Sequence, residues 1–374
     1  MGLRGLAVAL ALVSACSVGR PTGSPAPTAT REPEALNVTV LLDLSGPLRG
    51  PSGAPQRDAL QLWADQHSSG SPRLRTRIVD LAGSSPRAVL ELRRAAVDER
   101  ADAVIVGAPV DYDETFAAAV QLAQVPVLFT LPIREPATAT GGWAFALAPT
   151  PAQLARATVD DAAARGVLGA SLIVSDESGS AIPERSALVA ELAKRGVTGS
   201  VVKVTAADVA AKLRPTLAAT PSVAFAGWPR AYIDAARGAP TGTFLYFSYL
   251  CDAADIGELR DAAALATWPG SRWIAAPTIS SAATPARAAF MQSYTERAGP
   301  PTTHAASAFD ALTLLATAAE GGGDPARLRD RLQAGTFHGV ATTYSFSASR
   351  RAGFALEDLA FLRYTGARAA PAVR

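Results

Sequence analysis

Between Leu36 and Ala275 the sequence alternates short, β-branched apolar runs with single helix-patterned stretches, and this alternation limits the fold more than any other feature. Strands separated by one helix are joined by right-handed crossovers, which build mainly parallel sheets with helices on both faces. Residues 36–44 (LNVTVLLDL) read as a strand buried on both sides. A Gly/Pro loop at 45–53 follows, and helical spacing begins after Pro55, with Leu60 and Trp63, or Ala59 and Leu62, facing inward up to His67. The same grammar gives a strand at 74–81, a helix at 85–99 with Val89, Leu92 and Ala96 on one face, and a strand at 103–107. A helix at 114–124 and strands at 125–131 and 143–147 complete the first unit.

After Pro149 and Pro151 the pattern restarts. Helices at 152–165, 182–195 and 207–218 alternate with strands at 170–175, 199–204 and 222–227; a short helix from Pro229 leads to a strand at 243–248. A strand at 272–275 closes this second unit, and Pro277 marks the return crossing. Helices at 285–298, 303–319 and 325–333 follow. Runs at 342–347 and 359–364 have no helix between them and read as antiparallel additions.

The first 35 residues are of another kind. Arg4 followed by the apolar run 6–13 reads as a secretory signal, too short to span a bilayer as a mature helix. The run ends in Val13-Ser14-Ala15-Cys16, which resembles a bacterial lipobox, so residues 1–15 are expected to be removed and Cys16 to carry lipid; an ordinary signal with a chance Cys is the alternative. Residues 16–35 are rich in Pro, Thr, Ser, Gly and Ala and read as a flexible stalk. With Cys16 alkylated, Cys251 has no intramolecular partner and reads as a small buried hydrophobe.

Charge and composition exclude several function classes. Lys and Arg total 35 against 33 acids, a net +2 that offers no basic face for nucleic acid. Three His and two Cys, widely spaced, cannot form a local zinc cluster, and no metal or other cofactor is expected. The loop 45–53 follows a strand and opens a helix, but lacks both G-x-G-x-x-G and Gly-Lys-Ser/Thr, so it is a small-molecule binding loop rather than a nucleotide cradle. No G-x-S-x-G elbow occurs, His304 and His338 read as surface or capping residues, and the acids at 111–114 and 176–177 suit helix starts, so the chain is not expected to be an enzyme. Arg134, just past a strand end, can grip a carboxylate or pair with Glu135. Trp228 shares that placement and can stack on a ligand or wedge under a loop, while Tyr246 and Tyr249 alternate on their strand.

The order and spacing of VTVLLDLSGPL (38–48), RIVDLAG (77–83), ADAVIVGAPV with VPVLFTLP (101–132) and HAASAFDALTLLATA (304–318) resemble type I periplasmic solute-binding proteins of the Leu/Ile/Val-binding-protein family, receptors of amino-acid-type ABC importers. The resemblance covers residues 36–364 and implies two α/β lobes, joined by three hinge crossings, that close on a ligand between them. It implies lobe one at 36–149 plus 276–337 and lobe two at 150–275 plus 338–366. The family's ligand positions fall on Ser45 and Ser52 in the first loop, on Pro109 and Asp111, and on Leu131, Ile133 and Arg134. In lobe two they fall on Ser178, Trp228 and Ser248. An acid that would meet an α-ammonium is replaced by Ser248, and a hydroxyl that would meet a carboxylate by Asp111, so the usual amino-acid clamp is absent from both sides. Arg134 with Trp228 would instead favour an anionic or aromatic small molecule.

The resulting expectation is a monomeric, lipid-anchored, extracytoplasmic receptor without cofactor. It would hold a small polar or anionic ligand (an acid, amide or amino-acid derivative), pass it to ABC permease subunits, and touch the membrane only through its anchor. A ligand-sensing or protein-interaction lipoprotein of the same fold, without transport, is the alternative.

Overall fold

The computed structural model describes residues 35–69, 72–136, 142–169, 171–205, 207–217, 220, 222–227, 243–250, 272–275, 283–320, 322–355, 358–365 and 368–371. Strand β1 (Leu36–Leu42) is followed by a π-helical turn at Arg49–Gly53 and by α1 (Ala54–Gln66). Then come β2 (Leu74–Asp80), α2 (Ser85–Val97), β3 (Ala103–Gly107), α3 (Glu114–Ala123), β4 (Val127–Phe129) and β5 (Ala144–Ala146). These strands form one parallel sheet in the order β2-β1-β3-β4-β5.

The second half begins with α4 (Pro151–Ala164), which Thr150 starts with a complete capping box, its hydroxyl on the Gln153 N–H and the Gln153 side chain on the Thr150 N–H. It continues through β6 (Ser171–Ser175), α5 (Ala181–Lys194), β7 (Ser200–Lys203), α6 (Val209–Leu217), β8 (Ser222–Ala226), β9 (Phe244–Phe247) and β10 (Arg272–Ala275). Helices α7 (Pro285–Ala298), α8 (Thr303–Ala319) and α9 (Pro325–Ala334) follow, then β11 (Thr336–His338), β12 (Thr343–Ser345), β13 (Ala360–Thr365) and β14 (Arg368–Pro371). The second sheet runs β14-β13-β10-β9-β8-β6-β7, parallel from β7 to β10 and antiparallel at β13 and β14.

The core divides by sheet face, as the strand pleat requires. Val38, Val40 and Leu42 of β1 pack with α1, α7 and α8, whereas Leu41 packs with α2 and α3 on the other side. Helix α8 is buried along nearly its whole length, including His304, Ser307 and Asp310. Its Asp310 accepts hydrogen bonds from the Val340 and Ala341 N–H groups at 2.6 and 2.8 Å and from the Tyr344 hydroxyl at 2.9 Å. Burial pushes that carboxyl up to about 7, although those bonds act in the opposite direction.

The structure corrects three readings of the sequence. The inward face of α2 is Ala88, Leu92 and Ala95, one position earlier than expected on two of the three turns. Val89 and Ala96 pack only partly, because small residues let the helix lie close to the sheet. Of the two C-terminal strands expected to add to the second sheet, only β13 does so. Strand β12 pairs instead with β11, which the sequence did not reveal, and Phe337, Tyr344 and Phe346 of that hairpin join the core of the first sheet.

Candidate functional site

In the first sheet, the rim is shaped by a buried carboxylate. Asp43 ends β1 and takes the Gly46 N–H on Oδ1 at 2.7 Å and the Leu48 N–H on Oδ2 at 2.9 Å, which folds the loop back on the strand. The π-helical turn closes with the Gly53 N–H on Leu48 O at 2.9 Å. A Cβ at Gly53 would stand 1.7 Å from Asp43 O, so this close approach requires glycine.

The turn delivers Gln56 into the sheet, and its amide ties the turn itself to two strand ends. Its Nε2 donates to Ser52 Oγ and to Gly107 O, each at 2.7 Å, while its Oε1 accepts from Thr130 Oγ1 at 2.6 Å. All of this is buried and neutral. Ser52 thus belongs to an internal network. Sequence reasoning missed Gln56; the available signal was a polar residue on the inward stripe of α1, one turn before Leu60.

The remaining first-sheet candidates separate. Ser45 is exposed, and its N–H donates to Asp80 at 3.3 Å. Burial pushes the Asp80 carboxyl up, but the Ser45 hydroxyl and the Ala82, Leu44 and Ser45 N–H groups together hold it below its ordinary value. The Ile133 side chain is core, and Leu131 is buried. Pro109 is half-buried beside Asp111. Arg134 does not pair with Glu135 as the sequence suggested: its Nη2 lies 3.4 Å from Asp111 Oδ1, across the loops that follow β3 and β4, with half of the arginine side chain exposed.

The rim of the second sheet is built from acids. Asp176, just past β6, takes the Ser178 N–H at 2.8 Å as well as the Ser178 hydroxyl. Glu184, in the first turn of α5, is buried, and its Oε2 accepts from the Gly227 N–H at 3.0 Å and the Ser248 hydroxyl at 2.8 Å. Gly227 has φ +94°, and a Cβ there would lie 2.6 Å from Asp176 Oδ2, so the backbone passes between two carboxylates. Burial pushes Glu184 up to about 7; the Gly227 and Ser248 bonds pull the other way, and the Asp176 charge adds to the rise. The acid missing from position 248 therefore reaches it from α5, a connection the sequence could not display. Glu177 is occupied by Arg185 at 2.7 Å and Lys203 at 3.3 Å.

Two contacts join the rims. A Cβ at Gly179 would lie 3.3 Å from Asp111 Cβ, so the loop after β6 rests on the loop after β3. His304, which the sequence placed on the surface or in a cap, is fully buried: Nδ1 is 3.0 Å from Pro51 O and Nε2 is 3.3 Å from Tyr249 O. It spans from the first loop to the end of β9, which explains its burial. His338 is exposed and meets Thr343 Oγ1 at 3.2 Å. Trp228, Cys16, Cys251 and Pro277 lie outside the described residues. No group of three His, Cys, Asp or Glu able to hold a metal occurs among the described residues.

Similar folds are found among solved structures. A Rhodopseudomonas palustris ABC-transporter solute-binding protein in complex with benzoate superposes with TM-score 0.72 at 19% identity, over 90% of this chain and 95% of that one. The branched-chain amino acid transporter substrate-binding protein of Streptococcus pneumoniae, in complex with isoleucine, gives 0.73 at 16%, over 91% and 99%. A leucine-binding protein of Thermotoga maritima gives 0.72 at 14%, over 91% and 98%. No curated protein sequence matches. The periplasmic binding protein family matches residues 35–369, nearly the whole of the described body, and it is a family of solute-binding proteins rather than enzymes. The chain therefore belongs to the periplasmic binding protein family.

Proposed function

We propose that the protein is an extracytoplasmic receptor, anchored by lipid on Cys16 and a stalk at 16–35, that closes over a small polar solute and presents it to an ABC permease. The observation that carries this reading is the pair of facing rims: the loops that follow β3 and β6 meet at Asp111 and Gly179, with a buried carboxylate, Glu184, on one side. Closure of two lobes on a ligand needs only a higher affinity for the closed arrangement, not chemistry.

The charge of the rims sharpens the ligand class. Glu184 and Asp176 favour a ligand group that donates hydrogen bonds or carries positive charge, an ammonium or an amide, over a bare carboxylate. Arg134, already beside Asp111, serves an acid at the other end of the ligand through its exposed half. Ser178 and Ser248 add hydroxyls, and Trp228 is proposed as an aromatic wall. The relatives' ligands, benzoate and isoleucine, set the size expected.

Calorimetric titration of the chain with isoleucine, leucinamide, benzoate, benzamide and benzylamine tests this. Binding by an amine or amide that Glu184→Gln weakens at least about tenfold is the expected result. Indifference of the binder to both Glu184→Gln and Arg134→Ala would remove the rims from the site.

A further inference from the structure

We infer that the end of the first sheet opposite the ligand rim is a docking surface for anionic phospholipid headgroups. The inference rests on the reading of residues 16–35 as a lipidated stalk. The described body starts at Ala35, and the Leu36 N–H at the head of β1 donates to Arg73 O at 2.9 Å, so the chain enters beside Arg73. Strands β1 to β4 all begin at this end, as the pairs Leu36 with Leu74, Val38 with Ala103 and Val104 with Val127 show. Helices α2 and α3 return antiparallel to the strands they connect, so their C-terminal residues Val97 and Leu122 reach the same end.

Two features coincide there. Leu122 and Val97 at this end are 76% and 70% exposed, and Leu90, two turns back along α2, is 63% exposed; they are the three most exposed large hydrophobic residues among those described. Leu90 and Val97 are seven residues apart and share one stripe of α2. Around them stand exposed Arg73, Arg75, Arg93 and Arg100, which have no ion-pair partner among the described residues. Of the acids at this end, Glu99 pairs with Arg77 and Arg94, Asp102 accepts from the Asn37 N–H, and Asp324, next to the Gly323 that packs on Leu36, pairs with Arg327; Asp98 and Glu320 are exposed.

Arginine on β2 alone would be explained as protection of an edge strand from pairing with another chain. That leaves the aliphatic residues at the helix ends unexplained. Exposed aliphatics ringed by arginine are the composition of a surface that settles into an anionic lipid interface. The stalk joins the body at this end, which brings it to the bilayer before any other part. Docked in this way, the rim of the first sheet, with Asp111 and Arg134, points away from the membrane and toward the rim of the second sheet.

The test uses the full chain carrying Cys16→Ser, so that no lipid is attached and a failure of the lipobox reading does not affect it. Sedimentation with vesicles of equal parts phosphatidylglycerol and phosphatidylcholine is compared with phosphatidylcholine alone. The expected result is salt-sensitive binding to the anionic vesicles only, reduced about fivefold per arginine removed in Arg73→Gln/Arg75→Gln/Arg100→Gln. Val97→Ser/Leu122→Ser lowers it further, with melting temperature unchanged in every variant. Absence of binding, equal binding to both vesicles, or binding that persists in the triple variant, as attachment through residues 1–15 would give, overturns the inference. Mass analysis of the exported wild-type chain reports separately on lipid at Cys16.

Discussion

The two rims that face each other differ in how they are held. In the first sheet, one glutamine amide joins Ser52, Gly107 and Thr130 through neutral, buried bonds, and the shape of the loop depends on glycine and a strand-end carboxylate. In the second, Glu184 and Asp176 crowd the Gly227 backbone and Ser248. The glutamine network of the first wall carries no charge, whereas the second wall holds a buried carboxylate, Glu184, that burial pushes up to about 7.

The largest effect that can break the first wall is Gln56→Ala. It leaves Thr130, Ser52 and the Gly107 carbonyl without their partner and should cost about 3 kcal/mol in denaturant unfolding, by the same amount at every pH. A loss below about 1 kcal/mol would mean that Ser52, Gly107 and Thr130 find other partners. Next in size is Gly227→Ala, which forces a side chain at φ +94° against the Asp176 carboxylate and should cost about 2 kcal/mol. Ligand affinity should fall with it, since Glu184 hangs on the same N–H.

A pH series sharpens the contrast between the rims. Glu184 is raised in the folded state to about 7 from 4.5. The stability it gives is therefore complete below its unfolded value and is lost as pH rises through about 7. Asp310, raised to about 7 from 3.8, has the same sign. Thermal melts of Glu184→Gln should show a shallower decline across that window than the wild type, while Ser52→Ala should leave the slope unchanged. The smallest effect belongs to Arg134→Ala. Its pair with Asp111 is half exposed, so unfolding stability should change by less than about 0.5 kcal/mol.

Much of the fold could be read before the structure, because β1 and β3 are uninterrupted apolar runs and the helices carry clear N-caps and prolines. Strand β11, and with it the pairing of β12, could not, since a three-residue strand carries too little alternation to distinguish it from a turn. The site was legible only as positions. The resemblance implies Ser52, Asp111, Arg134, Ser178 and Ser248 as ligand positions, but the hydrogen-bond partners of Ser52 and Ser248 come from elsewhere in the sequence. Gln56 lies 74 residues from Thr130, and Glu184 lies 64 residues from Ser248. His304 is 253 residues from Pro51. Hydrogen-bond partners brought together by crossovers leave no local pattern, so the pairing of Ser248 with Glu184 is not visible in the sequence.

The most direct test is calorimetric titration with benzylamine, benzamide and benzoate, which share one ring and differ only in the group offered to the rims. Affinity should fall in that order, benzylamine should bind more tightly as pH rises through about 7, where Glu184 ionises, and Glu184→Gln should erase the preference. Tightest binding of benzoate, unchanged in Glu184→Gln, would contradict the proposed role of Glu184.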